Sequence, residues 1–299
     1  MPAHRSGFVN IIGEPNVGKS TLLNAFLGEK LSIITNKPQT TRHRIIAIAN
    51  DPEYQIVFSD TPGVIREPGY RMQKAMNSFA MSALEDADVL LFMIDVTRPP
   101  EIDEELSAKI KSTECPVYVI LNKIDLSTQT EVQRLSEWWV SELEADHVMA
   151  ISALEQIGTS SLFDHIVRAL PEGPAYYPKD QFTDRSERFF VSEIIREQIL
   201  QQYHQEIPYS VEVTVTSFKE GDSRSGPITR IGADIVVSRK TQKSIIIGNG
   251  GASIKELSTK AREGIETFLD SKVYLELFVK VKEKWRDDDR TLKSYGYLH

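Results

Sequence analysis

The sequence predicts an α/β protein, a doubly wound mixed sheet followed by a smaller α+β domain, and three observations carry that prediction. Short β-rich apolar runs alternate with helical patterns as far as residue 170, a proline-containing stretch then breaks the rhythm, and the elements beyond it come in a different order. With 299 residues, 40% hydrophobic and 26% charged, the chain can bury a substantial core in one large domain or two smaller ones. The expected boundaries are 1–170 for the first domain, 171–188 for a linker and 189–299 for the second domain with its C-terminal tail.

The first strand is "GFVNIIG", and a helix opens at Lys19. "RIIAIAN" and "YQIVFSD" follow as adjacent strands, one of them antiparallel, and "MQKAMNSFAMSALE" reads as a helix. "ADVLLFMID", "PVYVILNKID" and "HVMAISA" are further strands, separated by amphipathic stretches near 101–112 and 130–144 and closed by a helix near 160–170. The text "PEGPAYYPKDQFTDRSER" has no periodicity of either kind, so it reads as the linker. Beyond it lie a helix near 189–205, the strands "SVEVTVTSF" and "ITRIGADIVVS", a short helix at "SIII", a glycine loop, a helix near 252–269 and the strand "VYLELFVKV".

Composition narrows the function. No apolar run approaches the roughly 20 residues of a membrane helix, and "MPAHRSG" lacks the apolar core of a signal peptide, so a cytoplasmic protein is expected. The lone Cys115 excludes an internal disulfide and a cysteine metal cluster. Residues 1–175 hold 15 Lys and Arg against 24 Asp and Glu, whereas 176–299 hold 20 against 19, so a polyanion should prefer the second half. The basic cluster there is Arg239, Lys240, Lys243, Lys255, Lys260 and Arg262.

"GEPNVGKST" fits G-x-x-x-x-G-K-[ST] between a strand and a helix. Gly13 and Gly18 let the loop through Glu14, Pro15, Asn16 and Val17 curl its N–H groups toward phosphate; Lys19 should bridge the β- and γ-phosphates, and Ser20, followed by Thr21, should offer its hydroxyl to Mg²⁺. "SDTPG" sets Asp60 at a strand end to hold Mg²⁺ through water, with Thr61 and Pro62 leading to Gly63, whose N–H can meet a γ-phosphate. In "NKID", after Asn122 and Lys123, the Asp125 carboxylate can accept both N1–H and the exocyclic amine of guanine, a donor pair that adenine lacks. "ISA" would offer a backbone N–H near Ser152 and Ala153 to the guanine O6.

In this order these residues look like the nucleotide-binding motifs of translation-factor-class GTPases, and "PQTTRHR" then resembles the switch segment that closes on the metal. Thr41 is the expected Mg²⁺ and γ-phosphate contact, with Thr40 as the alternative. Val64 and Ile65 follow Gly63 where many such GTPases carry a water-orienting glutamine. GTPases with an apolar residue there commonly have "GxPNVGKS", and the resemblance implies that Asn16 ligates K⁺ beside the phosphates. Lys19, Asn16, Thr41 and Gly63 are therefore the expected catalytic set, with intrinsic hydrolysis on the order of 10⁻⁴ to 10⁻² s⁻¹.

"IGNGGASIKEL" is no second P-loop, because no G-K-[ST] follows Gly251. Its G-x-x-G pattern, Gly248, Asn249, Gly250 and Gly251, is that of a KH loop, whose glycines let a nucleic-acid backbone approach beside an apolar groove that includes Ile247. The order α, β, β, α, loop, α, β matches a type II KH domain. Neither Asn249 nor Gly250 is basic, so charge should come from Lys255 and its neighbours.

Across essentially the whole chain, these motifs and the terminal "VKVKEKWRDDDRTLKSYGY" resemble the Era family. That resemblance implies a GTP/GDP switch that binds single-stranded 16S ribosomal RNA near its 3′ end, assists assembly of the 30S subunit, and associates peripherally with the cytoplasmic face of the inner membrane; a monomer is expected. Two other readings remain: a GTPase whose second domain binds protein or membrane, and a P-loop ATPase or small-molecule kinase, against which "NKID" argues.

Overall fold

The computed structural model describes residues 4–223 and 226–298. The chain divides into two compact units, Met1–Gly69 with Gln73–Asp184, and Tyr70–Met72 with Arg185–His299.

The first unit is a six-stranded sheet in the order β2-β3-β1-β4-β5-β6. Its strands are β1 (Arg5–Gly13), β2 (Ile45–Asn50), β3 (Tyr54–Asp60), β4 (Val89–Asp95), β5 (Val117–Asn122) and β6 (His147–Ala150). All pairs are parallel except β2 with β3, which makes the sheet mixed. Helices α1 (Lys19–Leu27), α2 (Arg71–Glu85), α3 (Glu104–Lys111), α4 (Gln129–Leu143) and α5 (Thr159–Ala169) alternate with the strands. The central strands read as continuous apolar runs because both faces are covered: Val9, Ile11, Leu91 and Ile120 pack in one buried cluster and Ile12, Leu90, Phe92 and Leu121 in another. Asp103 starts α3 by accepting the N–H groups of Glu105 and Leu106, and Thr128 starts α4 by accepting that of Glu131.

The expected linker differs from a free tether over most of its length. The N–H groups of Tyr176 and Tyr177 donate to Gln55 Oε1, Lys179 Nζ donates to Asp51 O, and Ile48 N donates to Phe182 O. Residues 171–184 thus bind along the first unit, and part of the stretch supplies the partner that edge strand β2 otherwise lacks.

The second unit begins with α6 (Glu187–Gln202), two residues before the expected boundary, and continues with β7 (Val211–Ser223), β8 (Gly226–Val237), α7 (Lys240–Ile247), α8 (Ala252–Leu269) and β9 (Lys272–Val281). Its sheet runs β7-β8-β9, the first pair antiparallel and the second parallel. The run "SIII" is helical, as read. The C-terminal tail is folded as well: Trp285 is fully buried and donates through Nε1 to Ser210 O at 3.1 Å, α9 (Asp289–Ser294) follows, and Tyr297 Oη donates to Glu212 Oε2 at 2.8 Å.

Candidate functional site

A cleft of about 450 Å³ opens at the carboxyl ends of the first unit's strands, lined by the loop after β1, residues 33–36 and 39–41, Gly63, Arg98 and the loops after β5 and β6. An open α/β sheet binds ligands at that edge. The loop reaches its shape through backbone that only certain residues tolerate: Asn16 has φ 66° and Gly18 φ 107°. A Cβ on Gly18 would lie 2.2 Å from Asn122 Nδ2, and one on Gly63 would lie 2.5 Å from Pro15 N, so both glycines are also required by close approach.

Lys19 is buried, and its Nζ donates to Gly13 O at 3.1 Å and Glu14 O at 2.8 Å, which curls the loop around the ammonium. Burial pulls its pKa down to about 8, with the Asp60 charge opposing the shift. Such a group gains most from an anion brought beside it. Burial likewise pushes Asp60 above the usual carboxylate range, although Ser20, Lys19 and Thr41 all favour its charged form.

Ser20 Oγ donates to Asp60 Oδ2 at 2.7 Å and lies 3.0 Å from Thr41 Oγ1, which itself donates to Asp60 Oδ2 at 3.3 Å. Asp60 Oδ1 is buried with no hydrogen-bond partner among the described residues. Two hydroxyls and a carboxylate with an orphaned oxygen form a hard-oxygen set that fits Mg²⁺. Of the two candidate threonines, Thr41 enters this cluster, whereas Thr40 Oγ1 donates to Lys37 O at 2.6 Å.

The residues expected to recognise the base divide into those facing the cleft and those bracing it. Asp125 lies in a 3₁₀ turn just past β5, exposed at the cleft wall, and its carboxylate has no partner among the described residues. Asn122 is buried; its Nδ2 donates to Val17 O at 2.8 Å and its Oδ1 accepts Ala153 N–H at 2.9 Å, so its amide ties three loops together. Ser152 N–H is spent on Ile157 O. The expected N–H donors at 152 and 153 are therefore engaged within the protein, and the next N–H, that of Leu154 on the cleft wall, has no partner among the described residues. Lys123 Nζ donates to Asp95 Oδ2 at 2.6 Å. Burial would raise the Asp95 pKa, but the hydrogen bonds from Lys123 and Thr97 outweigh it and hold the carboxyl below its ordinary value. Thr61 is also structural, donating to Ile11 O at 2.7 Å.

Sequence reasoning missed Arg98. Its guanidinium donates to Glu14 Oε2 and to Pro15 O, each at 3.1 Å, while Arg66 donates to Glu14 Oε1 at 2.6 Å. Glu14 thus joins the loop after β1 to the segments after β3 and β4. The signal was an uncompensated acid within the phosphate-binding loop. Arg98→Ala is expected to weaken GDP binding roughly two- to fivefold, the scale of a half-exposed ion pair, in a fluorescent-nucleotide titration. Unchanged affinity would remove Arg98 from loop support.

In the second unit the loop between α7 and α8 places Gly248 at φ 71°, ψ 177°, Gly250 at φ 58° and Gly251 at φ 82°. The side of each glycine differs: a Cβ at Gly248 would lie 2.6 Å from Ser253 Cβ, whereas at Gly250 and Gly251 it would meet open space. Ile246 is fully buried and Ile247 packs partly against the core, but Ile245 is 54% exposed. Lys260 and Arg262 are engaged by Glu256 and Glu266 along α8. Lys255, beside the loop, has no ion pair among the described residues.

Sheet, loop, carboxylate and hydroxyls define the first unit as a P-loop GTPase domain, and two family models match the chain: "50S ribosome-binding GTPase" over residues 8–123 and "KH domain" over 206–286. The chain belongs to the Era family of GTPases. It is 44% identical over 296 residues to the GTPase Era of Clostridium kluyveri, covering 98% of this chain and 99% of that protein. It is 49% identical over 297 residues to a chloroplastic ERA-like GTPase of Oryza sativa subsp. japonica, covering 98% of this chain and 70% of that one. Two solved structures each superpose with a TM-score of 0.92 at 39% identity, covering 99% of this chain and 100% of theirs. One is an Aquifex aeolicus Era variant bound to GDP and aluminium fluoride, and the other is Era in complex with MgGDPNP and nucleotides 1506–1542 of 16S ribosomal RNA.

Proposed function

We propose that this GTPase is a nucleotide-driven switch whose KH unit binds single-stranded 16S ribosomal RNA near its 3′ end and so assists assembly of the small ribosomal subunit. The observation that carries the proposal is the end-to-end match to an Era structure holding both MgGDPNP and that RNA segment. In this reading Asp125 selects guanine, Lys19 and the loop N–H groups hold the phosphates, and Ser20, Thr41 and Asp60 serve Mg²⁺, which neutralises charge developing on the β- and γ-phosphates. The bare backbone around Gly250 and Gly251 meets the RNA strand, with Lys255 supplying charge. The site of action is the cytoplasm, as a monomer with the 30S subunit as partner. Peripheral contact with the inner membrane's cytoplasmic face enters the proposal from the family resemblance alone; no helix among the described residues is long and apolar enough to cross a membrane.

Binding of a single-stranded ribosomal RNA fragment, titrated against salt with GDP and with a non-hydrolysable GTP analogue, tests the switch. Tighter binding in one nucleotide state supports it, and equal binding in both removes the coupling.

Potassium belongs to the same proposal. Asn16 Nδ2 donates to Asn36 O at 2.9 Å, which leaves its Oδ1 available as a cation ligand beside the phosphates. Turnover is expected to rise about tenfold or more when Na⁺ is replaced by K⁺, as a charge-stabilising contact would supply. Equal rates in the two salts would refute the assignment.

A further inference from the structure

The outer face of the second unit's sheet carries a cluster that the glycine loop does not use. Along β9, Val273, Leu275, Leu277, Val279 and Val281 pack into the core, so alternation turns Lys272, Tyr274, Glu276, Phe278 and Lys280 to the opposite face. Ile231, Ala233 and Ile235 do the same on β8, turning Arg230, Gly232 and Asp234 outward, and Phe218 on β7 turns Lys219 outward.

The folded tail covers only one end of this face. Tyr297 bonds Glu212, and Tyr295 has its pKa pushed up to about 12 by burial and by the charges of Glu212 and Asp234, which puts it over that end. Asp234 is engaged there by Lys280 at 2.5 Å. The other end lies open. Tyr274 is 52% exposed there, as is Phe278 opposite Asp234 at the margin of the covered end, and Lys272, 76% exposed, has only Glu266 at 4.0 Å among the described residues.

One rung of this open end runs Lys219, Arg230, Tyr274 across the three strands. Two cations directly opposite in an antiparallel pair, with Cβ atoms about 5 Å apart, repel each other. Neither has an ion pair among the described residues. Across the three rungs from Lys272 to Glu276, Glu276 is the one acid among the described residues, and Tyr274 Oη donates to it at 3.4 Å. Gly232 sits in the middle strand of the next outward rung, between Ser217 and Glu276; a Cβ there would lie 2.6 Å from Ser217 Oγ, so the small Ser217 hydroxyl covers the glycine and Glu276 stands between Tyr274 and Phe278 along β9.

Unpaired cations beside two aromatic rings, about 13 Å apart along one strand, make up the combination that binds single-stranded nucleic acid: charge for the backbone and π-faces for the bases. We infer that the open end of this sheet face is a second RNA contact, taking a stretch of the strand beyond the part that meets Gly248–Gly251, with Lys219, Arg230 and Lys272 on phosphates and Tyr274 and Phe278 stacking bases. This rests on the reading of the second unit as an RNA binder.

The test compares two RNAs on the full-length protein: a short single strand just long enough to cover the glycine loop, and a fragment spanning 16S nucleotides 1506–1542. The triple change Lys219→Ala, Arg230→Ala, Lys272→Ala is expected to weaken the long RNA at least tenfold and to lower its salt slope by about 2, since each single-strand phosphate contact contributes roughly 0.7. The pair Tyr274→Ala, Phe278→Ala should cost about thirtyfold or more on the long RNA with the salt slope unchanged. Binding of the short RNA and GTP hydrolysis should stay as they were in both variants. Unchanged long-RNA binding in both overturns the second contact, as does an equal loss on the two RNAs. Gly251→Asp separates the two ideas: if it abolishes binding of both RNAs while the sheet variants do nothing, the glycine-loop reading stands and the sheet site fails. If it abolishes neither, the glycine-loop reading itself fails.

Discussion

Replacing Asp125 with asparagine is expected to turn the protein from a GTP-binding into a xanthosine triphosphate-binding one. Asp125 lines the cleft with its carboxylate unpartnered among the described residues, so both oxygens can accept the N1–H and exocyclic amine of guanine in a bidentate, charge-assisted pair. Asparagine keeps the size but replaces one acceptor with an NH₂ donor, which then faces a donor on guanine. Xanthine carries a carbonyl where guanine carries the amine, and it accepts from the new NH₂. Losing a charged hydrogen bond and leaving a donor opposed should cost about 3–4 kcal/mol, or roughly 10²- to 10³-fold in GTP affinity. Competition of labelled GTP by GTP and by xanthosine triphosphate measures it. Because the Asp125 carboxylate bonds nothing else among the described residues, the thermal midpoint should not move, and retained guanine preference in that stable variant would take Asp125 out of its role.

The neighbours of Asp125 mark where reading the sequence succeeds and where it stops. Strand ends were legible because buried parallel strands read as apolar runs and each motif sits just past one: Asp60 ends β3 and Asn122 ends β5. The mixed sheet and the order of elements in the second unit followed from the same logic. What the motif could not say is where each side chain spends its bonds. Asn122 belongs to "NKID", yet its amide braces Val17 and Ala153 from two other loops, a fact of three segments meeting in space. Arg98 belongs to no motif, and only the fold brings it to Glu14 across 84 positions of sequence.

Segments without periodicity look like linker and tail in the sequence, and in the fold both are bound. Residues 171–184 hold the first unit through backbone bonds to Gln55 and β2, which any polar sequence can make and which leave no hydrophobic pattern. The tail anchors through Trp285, Leu292 and Tyr297, too widely spaced to show a helical or strand period. The choice between Thr40 and Thr41 was open for a related reason: adjacent residues in an irregular loop point to different places, and only the bonds of Thr41 to Ser20 and Asp60 distinguish them.

Gly251→Asp is expected to separate the two glycine loops completely, abolishing RNA binding while GTP hydrolysis continues at its normal rate. Gly251 has φ 82° and open space where a Cβ would stand, and it sits at the N-terminus of α8, where aspartate and asparagine both tolerate the left-handed backbone and both cap helices well. The fold should therefore accept either residue, and the two differ in charge alone. A carboxylate held about 5 Å from an RNA phosphate at an effective dielectric of about 20 costs roughly 3 kcal/mol, or about 10²-fold in affinity. Gly251→Asn should lose only the advantage of bare backbone, a few-fold. The gap between the two variants should shrink as salt shortens the screening length from about 10 Å at 0.1 M to about 3 Å at 1 M. If both variants lose binding equally, close approach and not charge is what the loop provides. If neither loses it, the strand does not pass Gly251, and Lys255 and its neighbours are an ordinary solvated face.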